Sequence, residues 1–296
     1  MPFFTKKKIV VTHNNTFHAD DIFATATLSI LLDGGIKIIR TRDEALISKA
    51  DFVLDVGGVY DPSINRFDHH QSGGAGSRAN NVPYASFGLV WKTYGEKVCG
   101  GNKVIAERID ARLVQAIDAG DNGINLFDLK TDVVPYLLQD MVFAYRPSWK
   151  EEPEYDKPFL ELVKIAEKII KREIKQTGDA ILSENLIKDA YDKSKDKRII
   201  ILDEYYPWNE VVTKYKEPLY VVFPKVGTWR VECVRKGIYS FENRKPLPRA
   251  WAGKRNIEMA EASGVPDAIF CHNGRFLAVA KSKEGAICLA EKALLA

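Results

Sequence analysis

A chain of 296 residues with 46% hydrophobic content is long enough for two domains, each burying its own core. A formal charge of +3 does not by itself imply nucleic acid, and four widely spaced cysteines without a C-x-x-C pair argue against disulfides or a cysteine zinc site. The longest apolar run, Ile22 to Leu32, is broken by Thr25, Thr27 and Ser29 and falls short of the roughly 20 residues of a membrane span.

The lysine-rich start leads straight into Ile9-Val10-Val11 with no apolar cleavage segment, so the cytoplasm is the expected location, with no membrane partner. Lys8 to Thr12 reads as a buried strand ending at His13. After the loop Asn14 to Phe17 and the cluster His18-Ala19-Asp20-Asp21, Ile22 to Leu32 reads as a helix closed by Gly34-Gly35. A strand over Ile36 to Arg40, a short helix near Ala45 to Lys49 and a strand over Asp51 to Leu54 follow. The last ends at Asp55 and runs into Gly57-Gly58. This alternation predicts an α/β fold with a parallel sheet and helices on its faces. Ligands in such sheets bind beyond the carboxyl ends of the strands, where His13 and Asp55 both fall.

Ile64 to Phe67 reads as a further short strand that delivers Asp68-His69-His70, and a glycine-rich loop then runs to Arg78. Helices are expected from near Tyr84 and over Val104 to Ile117, the second ending in a turn that carries Asp118 and Asp121. Pro147, Pro153 and Pro158 mark the edge of a catalytic core spanning residues 1–150. Two helices, 157–176 and 179–193, form a helical connector over 151–197. Residues 198–296 read as a second, smaller α+β domain, with a strand pair around His272-Asn273-Gly274-Arg275 and a closing helix over Lys283 to Leu295.

Four of the five histidines (His13, His18, His69 and His70) lie in the first quarter of the chain. With the nearby carboxylates they assemble into a candidate metal ligand set: His13, His18, Asp20, Asp55, Asp68, His69 and one of Asp118 and Asp121. Imidazoles and carboxylates suit Mn²⁺, Mg²⁺, Zn²⁺ or Fe²⁺, and a set rich in carboxylates suits two ions rather than one. Two ions about 3.5–4 Å apart can clamp a phosphoryl oxygen for in-line displacement. Plainer roles stand beside these: Asp20 or Asp21 could cap the following helix, and His272 could be a satisfied loop histidine as well as a substrate contact.

A second feature lies between Lys225 and Arg255. Lys225, Arg230, Arg235, Lys236, Arg244, Lys245, Arg249, Lys254 and Arg255 face only Glu232 and Glu242, with Trp229, Tyr239, Phe241 and Trp251 interleaved. Cations that track phosphates and aromatic faces that stack on bases make a single-strand-binding surface; the alternative is a solvated rim over a small aromatic core.

The order His…Asp, Asp, Asp-His-His, Asp resembles the DHH phosphoesterase superfamily, which includes RecJ-like exonucleases and family II inorganic pyrophosphatases. More closely, Thr12 to Asp21, Asp55 to Pro62 and Arg66 to Gln71 resemble the Myg family, named for melanocyte proliferating gene one. Further matches are Ser86-Phe-Gly-Leu-Val, Ile117 to Ile124, Ser240 to Arg244, Leu247 to Gly253 and Phe270-Cys-His272, so the resemblance covers almost the whole chain. It implies a DHH phosphoesterase-type core, a C-terminal substrate domain, two divalent cations (Mn²⁺ or Mg²⁺) and 3′–5′ exonuclease action on RNA.

By the same resemblance His13, His18 and Asp55 would hold one metal, and Asp20, Asp55, His69 and Asp118 or Asp121 the other. Asp68, His69 and His70 would be the catalytic trio: Asp68 orienting, His69 on metal, His70 meeting the scissile phosphate. Substrate contacts are assigned to Arg78, Arg244, Arg249, Arg255, His272 and Arg275. Two departures stand out. His18 occupies a position where the pyrophosphatases have aspartate, and the Gly-Gly-Gly-His signature of related C-terminal domains is absent. The expected activity is hydrolysis of RNA or short oligonucleotides from the 3′ end by a metal-activated hydroxide, with a second copy of the chain, as a homodimer, a candidate partner. A hydrolase of small phosphorylated metabolites or dinucleotides, and a nucleic-acid-binding module with a structural metal, are the alternatives.

Overall fold

The computed structural model describes residues 6–296. The chain divides into two compact units, Met1–Gly178 and Asp179–Ala296, each with a five-stranded sheet. In the first unit β1 (Lys8–Thr12), α1 (Ala19–Leu31), β2 (Ile36–Arg40), α2 (Glu44–Ile47) and β3 (Phe52–Leu54) alternate as expected. A hairpin of β4 (Tyr60–Asp61) and β5 (Arg66–Phe67) follows. The strand order is β2-β1-β3-β5-β4. All neighbours run parallel except β4, an antiparallel edge strand.

Further helices of this unit are α3 (Ser86–Val98), α4 (Lys103–Ile109), α5 (Gln115–Asp121) and α6 (Leu138–Ala144). α1 packs against α3 and is buried along most of its length, with Phe23 of α1 against Phe87 of α3. Thr25 and Thr27 lie inside this packing because their hydroxyls donate to the carbonyls of Asp21 and Phe23 one turn back. α1 starts at Ala19 rather than Ile22, since the Asp21 carboxylate accepts from the His18 amide and caps the helix earlier.

The expected helix over Val104–Ile117 and its following turn are also different. A π-turn at Asp110–Val114 joins α4 to α5, and the helix continues to Asp121, so Asp118 and Asp121 are helical residues. The expected pair of connector helices is one helix, α7 (Asp156–Lys193), because Gly178 alone neither caps nor breaks it.

In the second unit come β6 (Ile199–Ile201), α8 (Asn209–Val212), β7 (Tyr220–Lys225), β8 (Thr228–Cys233), α9 (Asn256–Ser263), β9 (Ala268–Cys271), β10 (Leu277–Ala280) and α10 (Lys283–Leu295). The order is β6-β7-β8-β10-β9, antiparallel apart from the β6–β7 pair. The two-residue period of β7 divides its side chains between two cores. Tyr220 and Val222 join residues of α9 and α10, whereas Val221 and Phe223 join Trp208, Val211 and Ile187. No helix among the described residues is long and apolar enough to cross a membrane.

Candidate metal centre

β1, β3 and β5 are neighbours in the first sheet, and His13, Asp55 and Asp68 each come directly after one of them. β1 lies between β2 and β3, so the chain passes from β1 to β2 on one side and then crosses over to β3 on the other. That is a topological switch point, where a crevice opens at the carboxyl ends. α1 adds His18, Asp20 and Asp21 from its N-terminus, and α5 adds Asp121 from its last turn.

Asp55 sits at the centre. One of its oxygens, Oδ2, lies 3.2 Å from Nε2 of His13, and the other, Oδ1, lies 3.2 Å from Nε2 of His69. It reaches this position from a left-handed backbone (φ 53°), a conformation aspartate tolerates better than most residues and one that costs free energy unless the site requires it. Nε2 of His13 is also 3.3 Å from Oδ2 of Asp21, and Nε2 of His69 is 3.2 Å from Oδ2 of Asp121. Among the described residues three groups of donors, each with its ligand atoms within 4.8 Å of one another, result: His13, His18 and Asp21; Asp55, His69 and His70; and Asp20, His69 and Asp121.

Asp68 has a different job. Its Oδ2 accepts from the Gly58 amide, and its Oδ1 accepts from the amides of His69 and His70 and from Nδ1 of His70. These bonds fix the His70 ring with Nδ1 as the donor and leave Nε2 as its other nitrogen, on a side chain that is 62% exposed. Asp20 accepts from the amides of Ser86 and Phe87, and so binds the N-terminus of α3 while sitting among the metal-type donors.

The electrostatics fit cations. Burial raises Asp20, and the charges of Asp121, Asp55 and Asp118 raise it further. Burial lifts Asp21 to about 7 against the pull of His13. Burial alone would lower His69, but the carboxylates of Asp121 and Asp55 beside it outweigh that and carry it up to about 11. In the same way burial would lower His13, yet Asp55 and Asp21 raise it. Asp55 moves the other way: burial opposes its ionisation, but the two imidazoles hold it well below the usual carboxylate range. Asp21 Oδ2, Asp55 Oδ1 and His69 Nε2 are buried, and among the described residues they face only one another and the other carboxylates and imidazoles of this group, with no well-formed hydrogen bond to satisfy them. Buried carboxylates crowded together, with orphaned lone pairs turned toward each other, are what a divalent ion satisfies. The donor set therefore fits a metal.

Of the residues singled out in the sequence, His13, His18, Asp20, Asp55, His69, His70 and Asp121 come together, with Asp68 behind them. Asp118 does not join them. Its oxygens accept from Arg78 Nη1 and the Gly88 amide, and it appears in none of the donor groups. Arg78, assigned to substrate, is held inside by Asp110 and Asp118. Arg244 likewise turns inward, donating to the carbonyls of Thr213, Tyr215 and Pro218. Both cations fill structural bonds because buried carboxylates and carbonyls of their own unit need donors.

Arg249, Arg255 and His272 are exposed in the second unit, and Arg275 is half-buried. The Arg255 guanidinium lies over Phe270, and the His272 ring lies against Phe276. Trp251 is core, whereas Tyr239 and Phe241 are exposed. Asp21, absent from the ligand set expected from the sequence, both caps α1 and belongs to a candidate donor group. The missing signal is that a cap uses one carboxylate oxygen and leaves the other free to face His13.

Known proteins resemble the chain along nearly its whole length. The family model MYG1_exonuc, described as Uncharacterised protein family (UPF0160), matches residues 9–294. A MYG1 protein of Schizosaccharomyces pombe is 31% identical, with 96% of this chain and 97% of the relative covered. A MYG1 protein of Caenorhabditis elegans is 31% identical over 97% of this chain and 95% of its own length. The human relative, called MYG1 exonuclease, is 28% identical over 96% of this chain and 85% of its own length.

Proposed function

The chain belongs to the MYG1_exonuc family, and we propose that it is a divalent-metal-dependent phosphodiesterase that trims RNA or short oligonucleotides from the 3′ end. The observation that carries this reading is Asp55, whose two oxygens face His13 and His69 in a buried group of donors. The name of the human relative, MYG1 exonuclease, supports a nuclease. The run of strand ends is consistent with a DHH-type core.

His13, His18 and Asp21 would hold one ion, and Asp20, His69 and Asp121 the other, with Asp55 between them. Imidazoles from His13, His18 and His69 favour Mn²⁺ over Mg²⁺, which prefers oxygen ligands and keeps its waters. Bound there, such ions lower the pKa of water and neutralise charge on phosphoryl oxygens. The chain does the rest. Asp68 fixes the His70 ring through its Nδ1 proton, so Nε2 is offered to a phosphate oxygen at a constant angle. Arg255 over Phe270 offers a cation, and His272 beside Phe276 offers ring faces, to a single strand.

Incubating the protein with RNA labelled at its 5′ end and Mn²⁺ tests this: a ladder of products shortened from the 3′ end is expected, and chelation stops it. Turnover of dinucleotides with RNA left intact would replace RNA by small phosphodiesters as the substrate class. Intact RNA and intact dinucleotides would remove the phosphodiesterase reading.

A further inference from the structure

The segment Asn14 to Phe17 joins His13, at the end of β1, to His18, at the start of α1. Its Phe17 is buried against Tyr155 and Phe159, whereas Asn15 has a left-handed backbone (φ 66°). Three arginines from elsewhere in the first unit hold its carbonyls. Arg42 donates from Nη1 to both the carbonyl and the side-chain Oδ1 of Asn14, each at 2.8 Å. Arg40 donates to the Asn15 carbonyl at 2.7 Å. Arg146 donates from Nε to the Phe17 carbonyl at 3.0 Å. Arg40 is itself fixed: its side chain is 2% exposed, bound to Asp156, and stacked on Phe159.

One of these acceptors matters directly for the metal centre. The Asn14 carbonyl that takes the Arg42 bond also lies 3.1 Å from Nδ1 of His13. A carbonyl only accepts, so Nδ1 carries a proton, and Nε2 is the nitrogen that faces Asp55 and Asp21. Donation of the second ring nitrogen to a fixed acceptor is what sets tautomer and ring angle in metal-bound histidines.

We propose that Arg42, with Arg40 and Arg146, is a positioning residue of the metal centre. It anchors the Asn14 carbonyl that orients His13, and the three arginines together set the separation of His13 from His18. Loss of Arg42 leaves the ligands in place but lets the His13 ring turn. The inference rests on the metal-centre reading, and deepens it by naming what orients the ring.

The test uses the full chain and Mn²⁺ as probe. Arg42 is exposed, so Arg42→Ala is expected to fold as the parent does. It should weaken Mn²⁺ binding, read by titration calorimetry, about tenfold, the lower end for loss of an outer partner of a metal ligand. Arg42→Lys, which keeps one donor, should recover part of that affinity. Arg198→Ala, which removes only an exposed pair with Asp196, should recover nothing and lose nothing. With the protein loaded with Zn²⁺ and histidine labelled with ¹⁵N, the Nδ1 proton of His13 should exchange faster in Arg42→Ala than in the parent. Parent-like Mn²⁺ affinity and parent-like exchange in Arg42→Ala overturn the proposal alone. A parent that binds no divalent cation overturns the metal centre and this inference with it.

Discussion

Arg78 donates from Nη1 to Oδ2 of Asp118 at 2.7 Å, with the arginine side chain 7% exposed and the aspartate fully buried. Asp121, one helical turn further along α5, faces His69 instead. One aspartate therefore balances a buried cation while the other joins the candidate metal donors.

The two aspartates should fail in different ways. Asp118→Ala leaves the Arg78 guanidinium buried without one of its partners, and is expected to cost about 3–5 kcal/mol of stability. Asp121→Asn should leave the melting temperature of the metal-free chain almost unchanged while weakening Mn²⁺ binding at least about tenfold. Thermal melts and calorimetry on the same preparations separate the two. Matching stability losses in both variants would refute the division.

Gly88 explains why a glycine follows Phe87 in α3. A Cβ there would lie 1.8 Å from Asp118 Oδ2 and 2.7 Å from its Cγ, and the carboxylate cannot retreat because Arg78 and the Gly88 amide hold it. Gly88→Ala should destabilise the protein by about 1–3 kcal/mol, the range for overpacking, although alanine favours helix. A denaturant midpoint equal to the parent's would count against this packing.

The pH dependence follows from Asp21, lifted by burial to about 7. A carboxyl raised in the folded state contributes stability below its unfolded range, and that contribution is lost as pH rises through about 7. The metal-free protein should therefore lose stability over that interval. Cation affinity runs the other way. The proton on Asp21 competes with metal, so Mn²⁺ affinity should rise as pH climbs toward about 7 and then rise less steeply. His69, near 11, still releases a proton on binding, and calorimetry in buffers of different ionisation enthalpy should detect it. Affinity independent of pH would remove Asp21 from the ligands.

Arg244 and Arg255 should also separate. Arg244→Ala strands carbonyls at residues 213, 215 and 218 and should cost about 1–3 kcal/mol. Arg255→Ala should leave stability intact and reduce the salt slope of single-strand RNA binding by about 0.7, the value for one phosphate contact. Filter-binding at several salt concentrations measures that slope. An unchanged slope would take Arg255 off the RNA path.

Much of the candidate site was legible from pattern alone. Ile9-Val10-Val11 and Phe52-Val53-Leu54 mark strands because β-branched and apolar runs bounded by turns have few other uses, and each hands over to its His or Asp. Since parallel strands end at one edge, His13, Asp55 and Asp68 could be placed together without knowing any distance. The Asp68-His69-His70 run, its order and its spacing were complete in one dimension.

Only the tertiary structure could divide roles among neighbours. Asp20 and Asp21 are adjacent in sequence, yet helical geometry turns one toward the α3 amides and His69 and the other toward His13. Arg78 and Arg244 look like free cations until the carboxylates and carbonyls that claim them are brought up by distant segments. Local sequence determined which groups carry chemistry, because residue type and periodicity are local. Which of those groups remain available was decided by packing, since a buried acceptor takes whatever donor the fold brings within reach.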